Sequence, residues 1–145
     1  VKVVPSPAMR EAFTLAHFER RFRTAGAVAR DRLPPEAVIL TVWESGSVRY
    51  HGGREAVLWE ALEPSQLQPA LEWLTARGHT PYLMLEDWEE PGFRARFAAH
   101  AEIGQLDWPP RFDIDRRVRI YVPGDRARFL RGEAVPTEFI RGTSR

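Results

Sequence analysis

Acidic and small polar side chains follow two short apolar runs of the sequence, at residues 37–43 and 82–85. Such runs are typical of strands that are buried on both faces of a sheet. In an open parallel sheet, ligands bind beyond the carboxyl ends of the strands, beside the point where the strand order reverses. We therefore predict a ligand-binding crevice at these two strand ends. Its candidate residues are Glu44, Ser45, Gly46, Ser47, Arg49, Glu86, Asp87 and Trp88.

The residue types at these positions indicate which ligands the crevice would accept. Residues 45–47 can offer backbone N–H groups to an anion, and Arg49 and Arg54 lie nearby in the sequence. The segment lacks, however, the glycine spacing of a dinucleotide-binding loop or a Walker loop. A tight turn that needs the permissive backbone of Gly46 explains the same residues. Nearby carboxylates repel a highly charged phosphate, whereas Trp88 offers an apolar wall for a ring. A neutral sugar surface therefore fits this mixture better than a phosphate.

The acidic run at residues 86–90 has further interpretations. Its carboxylates could ligate a hard cation, or Glu86 could form an acid–base pair with Glu44 across adjacent strand ends. Capping of the next helix is favoured, because Asp87 and Glu90 have capping-box spacing. The chain has four histidines, and none of them are spaced as metal ligands in a known type of site. They are His17, His51, His79 and His100. We assign no catalytic residue, no metal and no cofactor.

Composition excludes several classes of function. The 145 residues include no Cys, which removes disulfides, thiolate metal sites and thiol nucleophiles. The net charge of +1 supplies no field to recruit nucleic acid, so none is expected as a partner. The longest apolar run, at residues 37–43, is far shorter than the about 20 residues that span a bilayer. We expect a single soluble domain with most of its 5 Trp in the core.

Hydrophobic spacing predicts the elements that hold the candidate residues. Apolar residues recur every three or four positions from Leu15 to Leu33, which predicts an amphipathic helix that ends at Pro34. Two further helices are predicted around residues 67–74 and 93–101, the first capped by Ser65 and Gln68. Residues 44–54 are predicted to form a loop with one helical turn at 48–51. The predicted strands cover residues 37–42, 56–60, 82–85, 118–122 and, with a weaker pattern, 106–108.

This alternation of strands and helices is typical of a parallel sheet covered on both faces. We predict an α/β fold, a three-layer Rossmann-like sandwich with a mostly parallel sheet of about five strands. Residues 37–42 are expected at its centre, flanked by residues 82–85. The last two strands are joined by a stretch too short for a crossover helix, so one should run antiparallel. The predicted organisation is an N-terminal amphipathic helix within 1–35, an α/β core over 36–131 and a frayed tail over 132–145.

Four segments of the chain resemble the soluble C-terminal portion of bacterial multi-spanning glycosyltransferase-like proteins. Those proteins are similar to the dolichyl-phosphate-mannose protein mannosyltransferases, the GT-C group. The resemblance covers about residues 17 to 131 and rests on a run of phrases without a catalytic signature. The segments are ERRFRTAGAVARDRLPPEAVILT (19–41), SGSVRYHGGREAVLWEAL (45–62), YLMLEDWEEPGFRARF (82–97) and LDWPP (106–110).

The resemblance implies a non-catalytic accessory domain of a membrane-embedded, lipid-linked-sugar glycosyltransferase. The family's catalytic acidic residue lies in an early loop of the membrane part, so no catalytic position carries over. The implied location is the extracytoplasmic face, after membrane spans that precede Val1. The implied partners are the membrane domain of the parent protein and a sugar or glycan. The alternatives are a stand-alone Rossmann-like domain that binds a nucleotide, sugar phosphate or other small anion at residues 44–49, and an acid–base enzyme that uses Glu44 and Glu86.

Overall fold

The computed structural model describes residue 7 and residues 23 to 142. Within that part a first helix, α1, covers residues 23 to 32, and the predicted helical residues 15–22 lie outside it. The elements that follow are β1 (Ala37–Thr41), α2 (Ser45–Tyr50), β2 (Glu55–Leu58), α3 (Leu67–Ala76), β3 (Thr80–Glu86), α4 (Glu90–Phe97), β4 (Phe112–Ile114), β5 (Val118–Tyr121), α5 (Pro123–Leu130) and β6 (Glu138–Ile140). Short 3-10 helices lie at Trp59–Ala61, Pro64–Gln66, Asp87–Glu89 and Glu102–Gln105.

Six strands form one mixed sheet in the order β2-β1-β3-β5-β4-β6. β1 pairs in parallel with β2 and β3, and β4 pairs in parallel with β6. Among the described strands only β5 runs against its neighbours, β3 and β4. The sheet is therefore mostly parallel, and the prediction of one antiparallel strand near the end of the chain is confirmed.

One face of the sheet is covered by α1 and α2. Side chains alternate along a strand, so Ala37 and Ile39 of β1 point to this face together with Tyr82 and Met84 of β3. Two consecutive prolines then follow Leu33 and prevent α1 from continuing. The side chains that α1, the residue after it and α2 contribute to this core are Ala25, Val28, Ala29, Leu33 and Val48.

The opposite face is covered by α3 and α4. Val38 and Leu40 of β1 point to it, and α3 presents Leu67, Leu71 and Leu74 from one side of the helix. α4 adds Phe93 and Phe97, whose rings lie 5.4 Å and 6.1 Å from the ring of Trp59, measured between centroids. Helices on both faces, with a core under each, are consistent with a three-layer α/β fold.

A buried ionic network joins α4 to β5 on this second face. Glu90 accepts hydrogen bonds from Arg119 Nη1 at 2.6 Å and from the Tyr121 hydroxyl at 3.1 Å. Burial, followed by the Glu90 carboxylate, raises the pKa of the Tyr121 hydroxyl. Arg111 similarly holds the buried Asp125 of α5 through two hydrogen bonds of 2.9 Å and 2.7 Å. Each buried carboxylate here is met by a guanidinium, as burial of a charge requires.

Several sequence predictions are wrong in the second half of the chain. Residues 106–108 are not a strand, because Leu106 adopts a left-handed backbone with φ 47° and the Trp108 indole N–H donates to the Val122 carbonyl at 3.1 Å. The partner of β5 is β4 instead. The tail is not frayed throughout, because Glu138–Ile140 pairs with β4 as a sixth strand. As a result β1 is an interior strand, but β3 and β5 are the middle pair.

Two predicted capping boxes are displaced along the chain. Before α3 the Glu63 N–H donates to Gln66 Oε1 at 2.8 Å, so the box lies two residues before Ser65 and Gln68. Before α4 the Glu86 N–H donates to Glu89 Oε1 at 3.0 Å, one residue before the predicted position. In both places a 3-10 turn precedes the α-helix and receives the cap, which a spacing rule for α-helices alone does not anticipate.

Candidate functional site

The strand order reverses beside β1, at the position predicted for a crevice. The chain leaves β1 through α2, which packs on the first face, and reaches β2 on one side of β1. It returns through α3, which packs on the second face, and reaches β3 on the other side of β1. Connections that leave on opposite faces open a crevice at the carboxyl ends of the strands between them. We call this region, formed by residues 42–47 and 86–89, the β1–β3 end.

Residues 45–50 form the helix α2, so the helical turn predicted at 48–51 is present but begins three residues earlier, and the predicted loop is wrong at 45–47. Ser45 is half-buried and Gly46 exposed, whereas Ser47 is buried. Arg49 donates its Nη2 to the Ala56 carbonyl of β2 at 3.1 Å, which ties α2 to the neighbouring strand. Ser47 and Arg49 therefore contribute to packing and to the sheet.

Close packing against α1 holds α2 in place. A Cβ on Gly26 of α1 would lie 2.4 Å from the His51 Cβ and 2.8 Å from the Ser47 carbonyl oxygen. A Cβ on Gly52 would lie 2.6 Å from the Val48 carbonyl oxygen and 3.1 Å from the Ala29 Cβ. These separations leave no room for larger side chains, so the two glycines allow the backbones to approach. The position of Glu44 at the start of α2 depends on this contact.

Glu89 joins the ends of the two strands, although the sequence did not mark it as a site residue. Its carboxylate accepts a hydrogen bond from the backbone N–H of Glu86 at the end of β3 and another from the backbone N–H of Trp43 after β1. Burial raises the pKa of Glu89, the two N–H hydrogen bonds oppose that rise, and the nearby Glu86 and Glu60 carboxylates add to it. Glu89 thus acts as a clamp between the two strand ends, because its one carboxylate accepts a backbone N–H from each of them. The capping position after β3 was the signal that could have revealed it.

Glu44 and Glu86 are both fully buried, with 0% of either residue exposed. Glu86 extends β3 past the end of β1, and Glu44 is the residue that precedes α2. The structure therefore places both at the β1–β3 end, as predicted. A buried carboxylate contributes its charge to the surface above it but touches a ligand only if the covering side chains move.

Two exposed tryptophans cover this end of the sheet. Trp43 and Trp88 are 42% and 57% exposed, and their rings contact edge to face with centroids 5.4 Å apart and planes at 81°. The expectation that most tryptophans lie in the core is wrong, since only Trp59 and Trp108 are buried. The sequence did not indicate that Trp43 is exposed, because this residue ends an apolar run. In the structure β1 stops at Thr41, two residues before Trp43.

Asp87 contacts the β4–β5 turn through both its side chain and its backbone. Its Oδ2 lies 3.4 Å from Arg117 Nη1, and its N–H donates to the Arg117 carbonyl at 2.7 Å. Its Oδ1 accepts the Trp88 N–H at 2.8 Å, which fixes the backbone that carries the Trp88 ring. The predicted residues at the β1–β3 end are thus Glu44, Ser45, Gly46, Ser47, Glu86, Asp87 and Trp88. Within it Ser47 packs against Gly26 of α1, and Arg49 lies outside it and is directed to β2.

Other predicted chemistry is not assembled in the described part of the chain. Residues 23–142 and residue 7 contain no group of three or more metal-ligating side chains that could hold an ion. His51 and His100 are exposed, His79 is half-buried, and His17 lies outside the described residues. No helix that the structure describes is long and apolar enough to cross a membrane.

Comparisons with known proteins add no family to this description. No protein-family model, curated protein or solved structure matches the chain. The site must therefore be interpreted from its own residues.

Proposed function

We propose that this chain is a non-catalytic accessory domain of a membrane-embedded glycosyltransferase that uses lipid-linked sugars. In this proposal the domain is Rossmann-like, lies on the extracytoplasmic face beside the membrane domain of its parent protein, and holds a glycan at the β1–β3 end. The observation that carries the proposal is the exposed Trp43–Trp88 pair above buried carboxylates at the reversal of strand order. The resemblance of four sequence segments to GT-C-type proteins supplies the larger context.

Sugar binding suits the residues at this end better than binding of a charged phosphate. Exposed indole rings bury apolar ring surface of a ligand without charge, and their N–H groups can donate to hydroxyls. The carboxyl groups of Glu44, Glu86 and Glu89 are buried at the same end of the sheet, and those that are ionised repel a phosphate dianion. The helix α2 has only 6 residues, Arg49 donates to the Ala56 carbonyl, and Arg54 donates to the Pro34 and Leu33 carbonyls. The small-anion alternative therefore loses the two cations that would have supported it.

Binding also suits the site better than catalysis. A general acid or base must lie within hydrogen-bond reach of the proton that it transfers. Glu44 and Glu86 are both 0% exposed, which keeps them out of such reach for a ligand resting on the tryptophans. In this proposal Glu89 holds the strand ends through its backbone hydrogen bonds, and the exposed rings make the contact with the ligand.

The membrane context is tested by the gene upstream of the codon for Val1. The proposal predicts several runs of about 20 apolar residues there. An upstream region without such runs, or one that encodes only a short polar leader, would contradict the accessory-domain assignment.

The ligand class is tested by titrating the isotopically labelled chain with neutral oligosaccharides and, separately, with sugar phosphates. We expect amide shifts at residues 43–47 and 86–89 with the neutral sugars and weaker or no shifts with the phosphates. No turnover of nucleotide sugars is expected. Turnover that is abolished by Glu44→Gln or Glu86→Gln would instead establish an acid–base enzyme.

A further inference from the structure

A second concave surface lies at the other half of the same edge of the sheet, where β4 and β6 end. It encloses about 400 Å³. We call it the β4–β6 groove, and its lining residues are Asp113, Asp115, Arg116, Phe139, Ile140 and Arg141. The hydrogen bond from the Asp87 N–H to the Arg117 carbonyl connects this half of the edge to the β1–β3 end.

The strand pattern explains why a carboxylate lines this groove. Phe112 and Ile114 of β4 point into the core of the first face, so Asp113 between them points to the second face. The strand register sets Asp113 between Arg119 of β5 and Phe139 of β6. Phe139 is 64% exposed, so the second face is open at this edge of the sheet.

Asp113 is nevertheless buried, with 7% of the residue exposed, and its hydrogen bonding is incomplete. Its Oδ2 lies 3.7 Å from Arg119 Nε, which is too far for a hydrogen bond. Arg119 Nη1 is committed to Glu90 at 2.6 Å. Asp113 Oδ1 is fully buried and accepts no hydrogen bond from the part of the chain that the structure describes, so a ligand hydroxyl reaches it only when the side chains around it move. A buried carboxylate in this condition requires an explanation, because such groups normally find donors.

The rest of the lining restricts what could supply those donors. Arg116 and Arg141 disfavour a cation, while Asp113 and Asp115 disfavour a phosphate. Hydroxyl groups suit both kinds of charged side chain, because a hydroxyl donates a hydrogen bond to a carboxylate and accepts one from a guanidinium. The Phe139 ring, with the Arg116 guanidinium 5.5 Å from its centroid, provides an exposed apolar surface beside them.

We propose that the β4–β6 groove is a binding subsite for a neutral sugar ring, with Asp113 as the acceptor of sugar hydroxyls and Phe139 as the apolar platform. The groove extends the glycan-binding edge and in that respect rests on the proposed function. A glycan held by this domain would then be recognised at two places along one edge, by the tryptophan pair and by the groove.

The test is a titration of the labelled chain with a neutral mannose trisaccharide, inorganic phosphate and methylammonium as separate probes. We expect amide shifts at residues 113–116 and 139–141 with the trisaccharide only. Asp113→Asn should weaken the affinity measured at these residues about tenfold, because a carboxylate is a stronger acceptor than an amide. Phe139→Ala should weaken it by a similar factor, whereas Phe129→Ala, which removes a ring of α5 that is 40% exposed, should leave it unchanged.

The outcomes separate this inference from the proposed function. Shifts at Trp43 and Trp88 without shifts in the groove would overturn the subsite and leave the proposed function intact. Groove shifts with phosphate or methylammonium alone would also overturn it, as would an unchanged affinity in Phe139→Ala. If Asp113→Asn lowers the melting temperature, Phe139→Ala still decides, since its side chain is exposed. Groove shifts that persist in Trp88→Ala would support a subsite that binds sugar independently of the tryptophans.

Discussion

The two halves of the sheet compensate buried carboxylates in different ways. We call the half of the sheet that contains β5, β4 and β6 the β5 half. There Glu90 and Asp125 are each held by a guanidinium, at 2.6 Å from Arg119 and 2.7 Å from Arg111. At the β1–β3 end, Glu89 accepts backbone N–H groups from two strand ends, and burial raises its pKa. Adjacent residues in the sequence, Glu89 and Glu90, thus serve opposite halves of the molecule.

The difference indicates that the carboxylates paired with guanidinium groups serve the fold, whereas the β1–β3 end is available for binding. Ion pairs such as that of Glu90 are satisfied within the fold, and the Tyr121 hydroxyl completes the coordination of that carboxylate. The β1–β3 end combines buried carboxyl groups with two exposed tryptophans. An exposed aromatic pair contributes little to folding at its exposed faces, so a ligand is the better explanation for it.

The largest effect on stability should come from breaking the guanidinium pairing in the β5 half. Arg119→Met leaves the buried Glu90 carboxylate without its shortest partner and should lower the free energy of unfolding by about 3 kcal/mol. Arg117→Met is the matched control, because Arg117 is 60% exposed and lies 3.4 Å from Asp87. That change should stay within about 0.5 kcal/mol. Urea unfolding of both variants measures the contrast, and equal losses would refute it.

The next effect should come from the packing that positions α2 at the β1–β3 end. Gly26→Ala places a Cβ 2.4 Å from the His51 Cβ and should lower the free energy of unfolding by about 1–3 kcal/mol. Gly46→Ala is the control within α2, where an added Cβ has no neighbour within 4 Å among the described residues. It should raise stability by about 0.5–1 kcal/mol through helix propensity. A stabilising Gly26→Ala would show that the α1–α2 contact is looser than described.

The smallest effect concerns the pH dependence that Glu89 imposes. Because burial raises the pKa of Glu89, the stability contributed by its protonated form is fully present below the ordinary value of 4.5 and is lost as the pH rises through the raised pKa. Glu89→Gln keeps an acceptor for the Glu86 N–H and removes the charge. The variant should therefore gain stability relative to the wild type as the pH rises towards neutral.

Asp107 supplies a comparison of opposite sign for that measurement. Its hydrogen bonds from Arg126 lower its pKa, so its contribution is present above the ordinary value of 3.8 and is lost as the pH falls through the lowered pKa. Asp107→Asn should accordingly lose stability relative to the wild type at neutral pH, with the difference fading in acid. Denaturant unfolding across this pH range measures both variants. Curves of the same sign would contradict the contrast between the two carboxylates.

Local pattern predicted the elements whose apolar residues are frequent enough to be periodic. β1, β3, α3 and the described part of α1 each contain several buried residues at regular spacing, and all were predicted. β4 and β6 have three residues each, FDI and EFI, which is too short for an alternation to be recognised. Their pairing is decided by contacts with each other and with β5, which no local window contains.

The sequence predicted where the candidate site lies, but it did not predict all of the residues that form it. The strand-end rule placed Glu44, Glu86, Asp87 and Trp88 correctly, because it depends only on where strands stop. It could not identify Trp43, whose exposure depends on β1 ending two residues earlier, or the clamp formed by Glu89. The helix α2 was predicted only as a single turn at 48–51, because its sequence, SGSVRY, has low helix propensity and it packs against Gly26.

The central claim is that the exposed tryptophans at the β1–β3 end hold a neutral glycan, and the indole N–H resonances of Trp43 and Trp88 test it most directly. During titration with a neutral oligosaccharide, both resonances should shift in the wild type, and binding at this end should be lost in Trp88→Ala. Trp73→Ala is the matched control, because Trp73 is 54% exposed on α3 and should leave the titration unchanged. A Trp43 indole shift that persists in Trp88→Ala, or that is equally weakened by both substitutions, would contradict the account.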